Sequence, residues 1–503
     1  MRYVLVATVS ILAIVLAYWK LDSARDGVAI TYERSGSTPV TVYKLASARP
    51  GPVIIIAHGF AGSQQLMQPF ALTLARNGYV AVTFDFLGHG RNSQPLPGGL
   101  TDQNASLKAL LDQLGEVVTF AGQFGDGRMA LLGHSMASDI VVRYAQVHPD
   151  IDATIAVSVF SPVATATSPR NLLIIDGALE PTFLRDEGKR IVALAAKGPV
   201  QEGVTYGDFA QGTARRLVFA GGVEHIGVLY SGDSMAAALD WMNKTYARQG
   251  SGFTDERGGW LGLLFLGLVA LAWPLARLLP VVATAARGSG LPWRRLLPVA
   301  VAPAILTPLV LWKVPTNFMP LLLGDYLALH FALYATFSAA GIVLTRSPGA
   351  RGAAPGISYV SLVIAAAACI GYGVFAIGVP ADRFVTNLLP ISVRLPPMLV
   401  MVAGTLGYFL ADEWLTRGPA AARGGYAFTK FCFLVSLALA IALNPQRLFF
   451  LIIIVPAILV LFLIYGLFSA WAYRRSNDPV AGALTAGVAF AWAIAVTFPI
   501  VGP

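Results

Sequence analysis

The chain has 503 residues, more than one compact core usually holds, so at least two domains are expected. Only 13% of its residues are charged and its mean hydropathy is +0.64, which excludes a wholly soluble protein. The net charge of +9 is unevenly placed: Leu21 to Glu256 holds 18 Lys and Arg against 22 Asp and Glu, a balance of −4, which leaves +13 for the rest.

The basic excess therefore belongs to the apolar part, where Arg clusters in short loops. That is the positive-inside pattern of membrane proteins and argues against nucleic acid as a partner. The first apolar run, Val4 to Trp19, lies between Arg2 and Lys20. Its signal-cleavage pattern is poor, because Asp22 stands two residues before Ala24, so residues 1–20 are expected to form a transmembrane anchor with a cytoplasmic N-terminus.

From 28 to 247 the pattern changes to short apolar, β-branched runs at Val40–Tyr43, Val53–Ala57, Tyr79–Phe84, Met129–Gly133, Thr154–Phe160, Leu172–Ile175 and Leu217–Ala220. Helical stretches such as Asn104–Phe124 and Ser138–Val147 separate them, which predicts an α/β domain: a mostly parallel sheet with helices on both faces. Residues 248–259, rich in Gly and charge, read as a linker. From 260 to 503 follow about eight apolar runs near the ~20 residues a bilayer demands, predicting an all-α transmembrane bundle. They are Trp260–Leu279, Leu296–Val314, Tyr326–Thr345, Ile357–Val379, Pro397–Ala411, Phe428–Leu443, Leu448–Tyr473 and Val480–Val501, the fifth and sixth being short.

Alternate loops hold Arg277, Arg287, Arg294 and Arg295, then Arg346 and Arg351, then Arg417, Arg423 and Lys430, then Arg474 and Arg475. The intervening loops hold only Lys313, Arg383, Arg394 and Arg447. This asymmetry assigns the richer loops to the cytoplasm, the α/β domain to the outside and, after about nine spans, Pro503 to the outside. The two cysteines, Cys369 and Cys432, both fall in apolar runs, and no Cys/His cluster offers a metal site, so neither metal nor cofactor is expected.

The strongest chemical signal is Met129-Ala-Leu-Leu-Gly-His-Ser135-Met-Ala-Ser138, an apolar strand running into a tight turn and a helix. Small residues two before and two after the serine, Gly133 and Ala137, leave room for a strained turn that projects its hydroxyl. This segment resembles the G-x-S-x-G nucleophile elbow of the α/β-hydrolase family, with Ala in the last place. Three further segments are similar to the family in the same order. His58-Gly59-Phe60 after Val53–Ala57 looks like its oxyanion loop, which implies that the amides of Phe60 and Met136 bind the developing oxyanion. Asp85-Phe-Leu-Gly-His89-Gly-Arg-Asn-Ser93 looks like its D-x-x-G-x-G-x-S turn, with Asp85 and His89 structural. The family's order of nucleophile, acid and base then points to Glu180 and His225. Glu180 stands three residues after the glycine that ends its strand; Asp176, at the strand end itself, is the rival acid.

The resemblance implies an acyl-enzyme mechanism in which Ser135 attacks, His225 takes its proton and Glu180 orients the imidazole. Only a ten-residue connection, Ser161–Arg170, stands where many relatives insert a cap, so little or no cap is expected. The reading is a membrane-bound, extracytoplasmic serine hydrolase acting on carboxylic esters, with a free or lipid-linked acyl substrate and membrane lipids as partners. The alternatives are an acyltransferase or peptidase on the same triad, or a transporter or sensor whose hydrolase domain is secondary. Within the membrane part, Asp325 and His330 are functional candidates, whereas Asp412-Glu413 read as an interfacial edge.

Overall fold

The computed structural model describes residues 1–47, 49–99, 102–196, 198–345 and 356–502. Arg346 and Arg351, part of the positive-inside pattern, and Pro503 lie outside the described residues. The chain divides into two compact units. One is Val15–Leu264 together with Ala381–Asn387 and the segment from Pro499; the other is Met1–Ile14, Phe265–Pro380 and Leu388–Phe498.

The first unit is built on an eight-stranded sheet: β1 (Val28–Ser35), β2 (Thr38–Leu45), β3 (Val53–Ala57), β4 (Val80–Phe84), β5 (Met129–His134), β6 (Ile151–Val157), β7 (Leu172–Gly177) and β8 (Arg215–Ala220). Their order across the sheet is β1-β2-β4-β3-β5-β6-β7-β8. β1 pairs with β2 and β2 with β4 antiparallel; every later pair is parallel. The central strands are mostly apolar, β3 without interruption, because both faces are covered. On β3, Ile54 and Ile56 enter one core, and Val53, Ile55 and Ala57 the other. The expected sheet lacked β1, an edge strand that carries Glu33 and Arg34 and exposes Tyr32. Gly36, at φ +57°, makes the two-residue turn that folds β1 back on β2.

Six helices follow the chain to this point: α1 (Arg2–Ser23), α2 (Gln68–Arg76), α3 (Gln103–Ala121), α4 (Met136–Val147), α5 (Thr182–Ala193) and α6 (Gly232–Thr245). Phe70 and Leu74 of α2 share a core with Met235 and Trp241 of α6 on one face of the sheet. Leu110 and Leu114 of α3 share the other with Ile140 and Val141 of α4. Neither helix nor strand interrupts residues 158–171, so no cap is inserted there. Residues 249–257 also lack regular structure but are not loosely solvated. Asp255 and Arg257 form a buried ion pair, and the Asp255 amide donates to Thr73 Oγ1 at 3.0 Å.

Among the described residues, nine helices are long and apolar enough to cross a membrane: Arg2–Ser23, Gly258–Leu278, Trp293–Leu311, Gly324–Leu344, Tyr359–Phe384, Ser392–Thr416, Gly425–Leu443, Leu451–Ser476 and Val480–Thr497. The two runs that look short in sequence belong to the helices Ser392–Thr416 and Gly425–Leu443, whose polar residues pair inside the second unit. Asp412 is ion-paired with Lys430, and Glu413 with Arg417 at 2.8 Å. All but Arg417 are buried, which corrects their reading as an interfacial edge: a carboxylate is stable there only with its counter-charge beside it. His330 is buried against Ser436 Oγ at 3.1 Å, and Asp325 lies 3.9 Å from Arg447.

Candidate active site

The elbow follows from crowding. β5 ends at His134, α4 begins at Met136, and Ser135 between them is held at φ 54°, ψ −116°. A non-glycine residue adopts this conformation only when its surroundings over-determine it. Here the Ser135 amide donates to Val157 O at 2.8 Å, and the Ser138 hydroxyl donates to Ser135 O at 2.6 Å. A methyl group at Gly133 would stand 2.4 Å from Ala137 O, so the turn closes only over a glycine. Ala137, in the family's final glycine place, is buried in the core without disturbing the turn.

The structure brings Ser135, His225 and Glu180 into one line. His225 Nε2 is 2.9 Å from Ser135 Oγ, and His225 Nδ1 is 3.4 Å from Glu180 Oε2. The other carboxylate oxygen, Glu180 Oε1, accepts from Ser158 Oγ at 2.5 Å and from the Gly177 amide at 3.0 Å. Burial acts to raise the Glu180 carboxyl. Hydrogen bonds from His225, Ser158 and Gly177 outweigh it and hold the group below its ordinary value, as a charged acid.

Asp176 sits elsewhere. It is buried on β7, where Oδ1 accepts from the Val159 amide at 3.1 Å and Oδ2 faces Gly188 with no hydrogen-bond partner among the described residues. Burial first, then the charge of Glu180, pushes its carboxyl well above the usual range. Two carboxyls four residues apart are thus shifted by their environments in opposite directions, Glu180 down and Asp176 up.

Phe60 and Met136 flank the nucleophile. A methyl group at Gly59 would stand 3.0 Å from Ser135 Cβ and 3.1 Å from His134 O, so only glycine lets the Phe60 loop lie against the elbow. Met136 is the first residue of α4, whose leading amides have no acceptor within the helix. His58 braces the loop: its Nε2 accepts from the Phe86 amide at 3.1 Å, which leaves Nδ1 to donate to Gly59 O at 2.8 Å. Burial lowers its pKa, in keeping with this neutral tautomer. Asp85 is fully buried and accepts from the Gln64 and Arg91 amides at 2.8 and 2.9 Å, while His89 Nδ1 lies 2.8 Å from Leu87 O; both hold the turn.

Two residues at the site escape sequence reasoning. Ser158, at φ 54°, donates to Glu180; its only signal is its place one residue beyond β6, at the carboxyl edge of the sheet where such sites gather. His134 donates from Nε2 to His225 O at 3.0 Å and so fixes the backbone that carries the imidazole. Burial, then the neighbouring His225, drives its pKa down to about 3, so it acts as a neutral donor.

Residues 48–179 match the family model Hydrolase_4, described as serine aminopeptidase, S33. The sheet-bearing unit has the α/β-hydrolase fold. The matched stretch takes in His58–Phe60 and the turn at Ser135 and stops one residue short of Glu180. Solved structures similar to the hydrolase unit include a predicted CIB-like hydrolase of Thermoplasma acidophilum, 18% identical, covering 43% of this chain and 98% of that one with a TM-score of 0.33. A candidate dienelactone hydrolase of Klebsiella pneumoniae is 15% identical over 44% of this chain and 100% of that one, TM-score 0.32. Est1E of Butyrivibrio proteoclasticus, solved with ferulic acid bound, is 18% identical over 43% and 100%, TM-score 0.31. A search among curated proteins finds no match.

Proposed function

We propose that the chain is a multi-pass membrane serine hydrolase that cleaves carboxylic esters, with its hydrolase unit on the extracytoplasmic side. The observation that carries this reading is the 2.9 Å contact from Ser135 Oγ to His225 Nε2, backed by a buried, charged Glu180. In the reaction His225 Nε2 takes the Ser135 proton as Oγ attacks the acyl carbon. Glu180 holds the Nδ1–H tautomer and steadies the imidazolium, while the Phe60 and Met136 amides bind the oxyanion. His225 then protonates the leaving alkoxide. In the second half it takes a proton from water, which attacks the acyl enzyme and releases the acid and free Ser135.

The residues beside the triad in the chain favour a substrate with an apolar portion, free or lipid-linked. Leu179 precedes Glu180, Ile226 follows His225 and Phe160 lies two past Ser158, at 65%, 41% and 58% exposure. Large apolar side chains exposed next to site residues in the chain are candidate contacts for such a portion. The matched family's description raises a peptidase as the second reading. An aminopeptidase must hold a free amine with a carboxylate, but the acids neighbouring the triad are engaged. Glu224 accepts from the amides of Ile226 and Gly227, and Asp139 pairs with Arg143 and Ser161. The ester reading is therefore preferred.

Treating intact cells with a membrane-impermeant fluorophosphonate tests chemistry and sidedness together. Wild type should label and Ser135→Ala should not. Labelling only after lysis would overturn the orientation, and none in either state would overturn the hydrolase.

A further inference from the structure

The loop that carries Phe60 runs from His58 to Gln64, and its far end is held by residues more than 300 positions away. The Asn387 amide donates to Ser63 Oγ at 2.8 Å, and Thr386 Oγ1 lies 3.1 Å from the same hydroxyl. Asn387 Oδ1 accepts from Arg91 Nε at 3.1 Å, and Arg91 Nη2 meets Asp382 Oδ2 at 2.6 Å. The Arg91 amide donates to Asp85 Oδ2, and Asp85 in turn takes the amide and the side-chain nitrogen of Gln64, next to Ser63. The circuit is closed: Ser63, Asn387, Arg91, Asp85, Gln64 and back. Ser63, Asp85 and Asn387 are almost fully buried, so these bonds are shielded from competing water.

A second segment pins the other side of the same turn. Leu96 N donates to Ile500 O at 2.9 Å, Ile500 N to Gly88 O at 2.8 Å and Gly502 N to Leu96 O at 3.0 Å. Both segments belong to the hydrolase unit although they lie beyond long apolar helices in sequence.

We propose that Asp382 and Asn387 are positioning residues for the reaction: through Arg91 and Ser63 they set the loop that presents the Phe60 amide to the oxyanion. The inference rests on the hydrolase reading of Ser135. The bonds of Asp382, Thr386 and Asn387 given above run to Ser63 and Arg91 rather than to the triad, so their loss should leave nucleophile and base in place and loosen one oxyanion donor. A donor removed outright costs about 10²–10³ in turnover, and a misplacement of about 1 Å can cost about 10², so a loosened one should cost about 10- to 100-fold.

The full-length chain in detergent, assayed with 4-nitrophenyl acetate and titrated with a fluorophosphonate, supplies the test. Asn387→Ala and Asp382→Ala should lower kcat by about 10- to 100-fold, with KM within about threefold and the number of titratable serines per chain unchanged. Asp382→Glu should restore most of the loss, and Arg91→Ala combined with Asp382→Ala should cost no more than either alone. A loss of activity that merely follows a loss of titratable serines would show a folding role only and overturn the inference. So would variants with wild-type kcat. A wild-type chain that neither titrates nor cleaves the ester would overturn the hydrolase reading itself, and this inference with it.

Discussion

Replacing Glu180 by Gln is the most discriminating change to the proposed triad, because the structure dictates how the amide must sit. Glu180 Oε1 accepts from two donors, the Ser158 hydroxyl and the Gly177 amide. In the Glu180→Gln variant the amide oxygen of the new side chain must take that place, since an NH₂ group there would face two further donors. The NH₂ is thereby forced toward His225 Nδ1, which lies 3.4 Å from Oε2 of the native carboxylate, and donates to it. The imidazole then carries its proton on Nε2, facing Ser135, and cannot accept another. The wrong tautomer should lower kcat by about 10³–10⁴, at the upper end roughly 5 kcal/mol of transition-state stabilisation. KM should change little, because no bond to bound ester is removed. Steady-state hydrolysis of 4-nitrophenyl acetate, normalised to protein content and compared with Glu180→Asp as a partial loss, measures it. Near-normal turnover in Glu180→Gln beside an inactive Asp176→Asn would refute the reasoning and hand the acid's role to Asp176.

Asp176→Asn should leave turnover within about threefold and act on stability instead. The unfolded carboxyl ionises above about pH 3.9 while the folded one holds its proton to higher pH, so stability falls as the pH rises past that point; the amide escapes this loss. Thermal melting in detergent should show Asp176→Asn more stable than wild type at pH 7, with the gain vanishing near pH 4. His134 works in the opposite sense: its pKa falls from 6.5 to about 3 on folding, so the unfolded chain binds the extra proton in that window and stability drops as the pH falls from 6.5. His134→Phe should flatten that slope, by up to about 1.4 kcal/mol per pH unit, and lower kcat about tenfold through the lost bond to His225 O. Reporter fusions after Gly250 and after Arg351 should report opposite sides of the membrane; the same side for both would sink the proposed orientation.

The sheet's interior was legible because burial on both faces demands unbroken apolar runs, as in Val53–Ala57, and those runs stand out against any background. β1 was not, because an edge strand with one wet face tolerates Glu33 and Arg34 and carries no such run. Ser135, Glu180 and His225 could be named because the segments that carry them resemble, in order, the family's elbow, acid and base positions, and the structure places them within hydrogen-bonding reach of one another. Ser158 obeys no comparable spacing. Nor could the pairing of Asp412 with Lys430 be read, since it joins two helices whose rotation only packing sets. The circuit through Asn387 is the extreme case. Its partners are separated by about 300 residues and joined by side chains that, one at a time, look like ordinary surface groups. An excised fragment from Val28 to Gly250 keeps the triad but leaves Ser63 and Arg91 without these partners, so a permanently open site need not be a fully assembled one.

Gly59 contributes no group to the proposed chemistry, yet a methyl group in place of its hydrogen would stand only 3.0 Å from Ser135 Cβ. Alanine there would wedge loop and elbow apart by a few tenths of an ångström, on both sides of the bond being broken. A saturation-mutagenesis profile of this chain scored by activity should therefore place residue 59 beside Ser135 in intolerance, while a profile scored by the amount of folded protein in the membrane should treat it far more leniently. The gap between the two scores, rather than either alone, would identify a position whose importance lies in being absent.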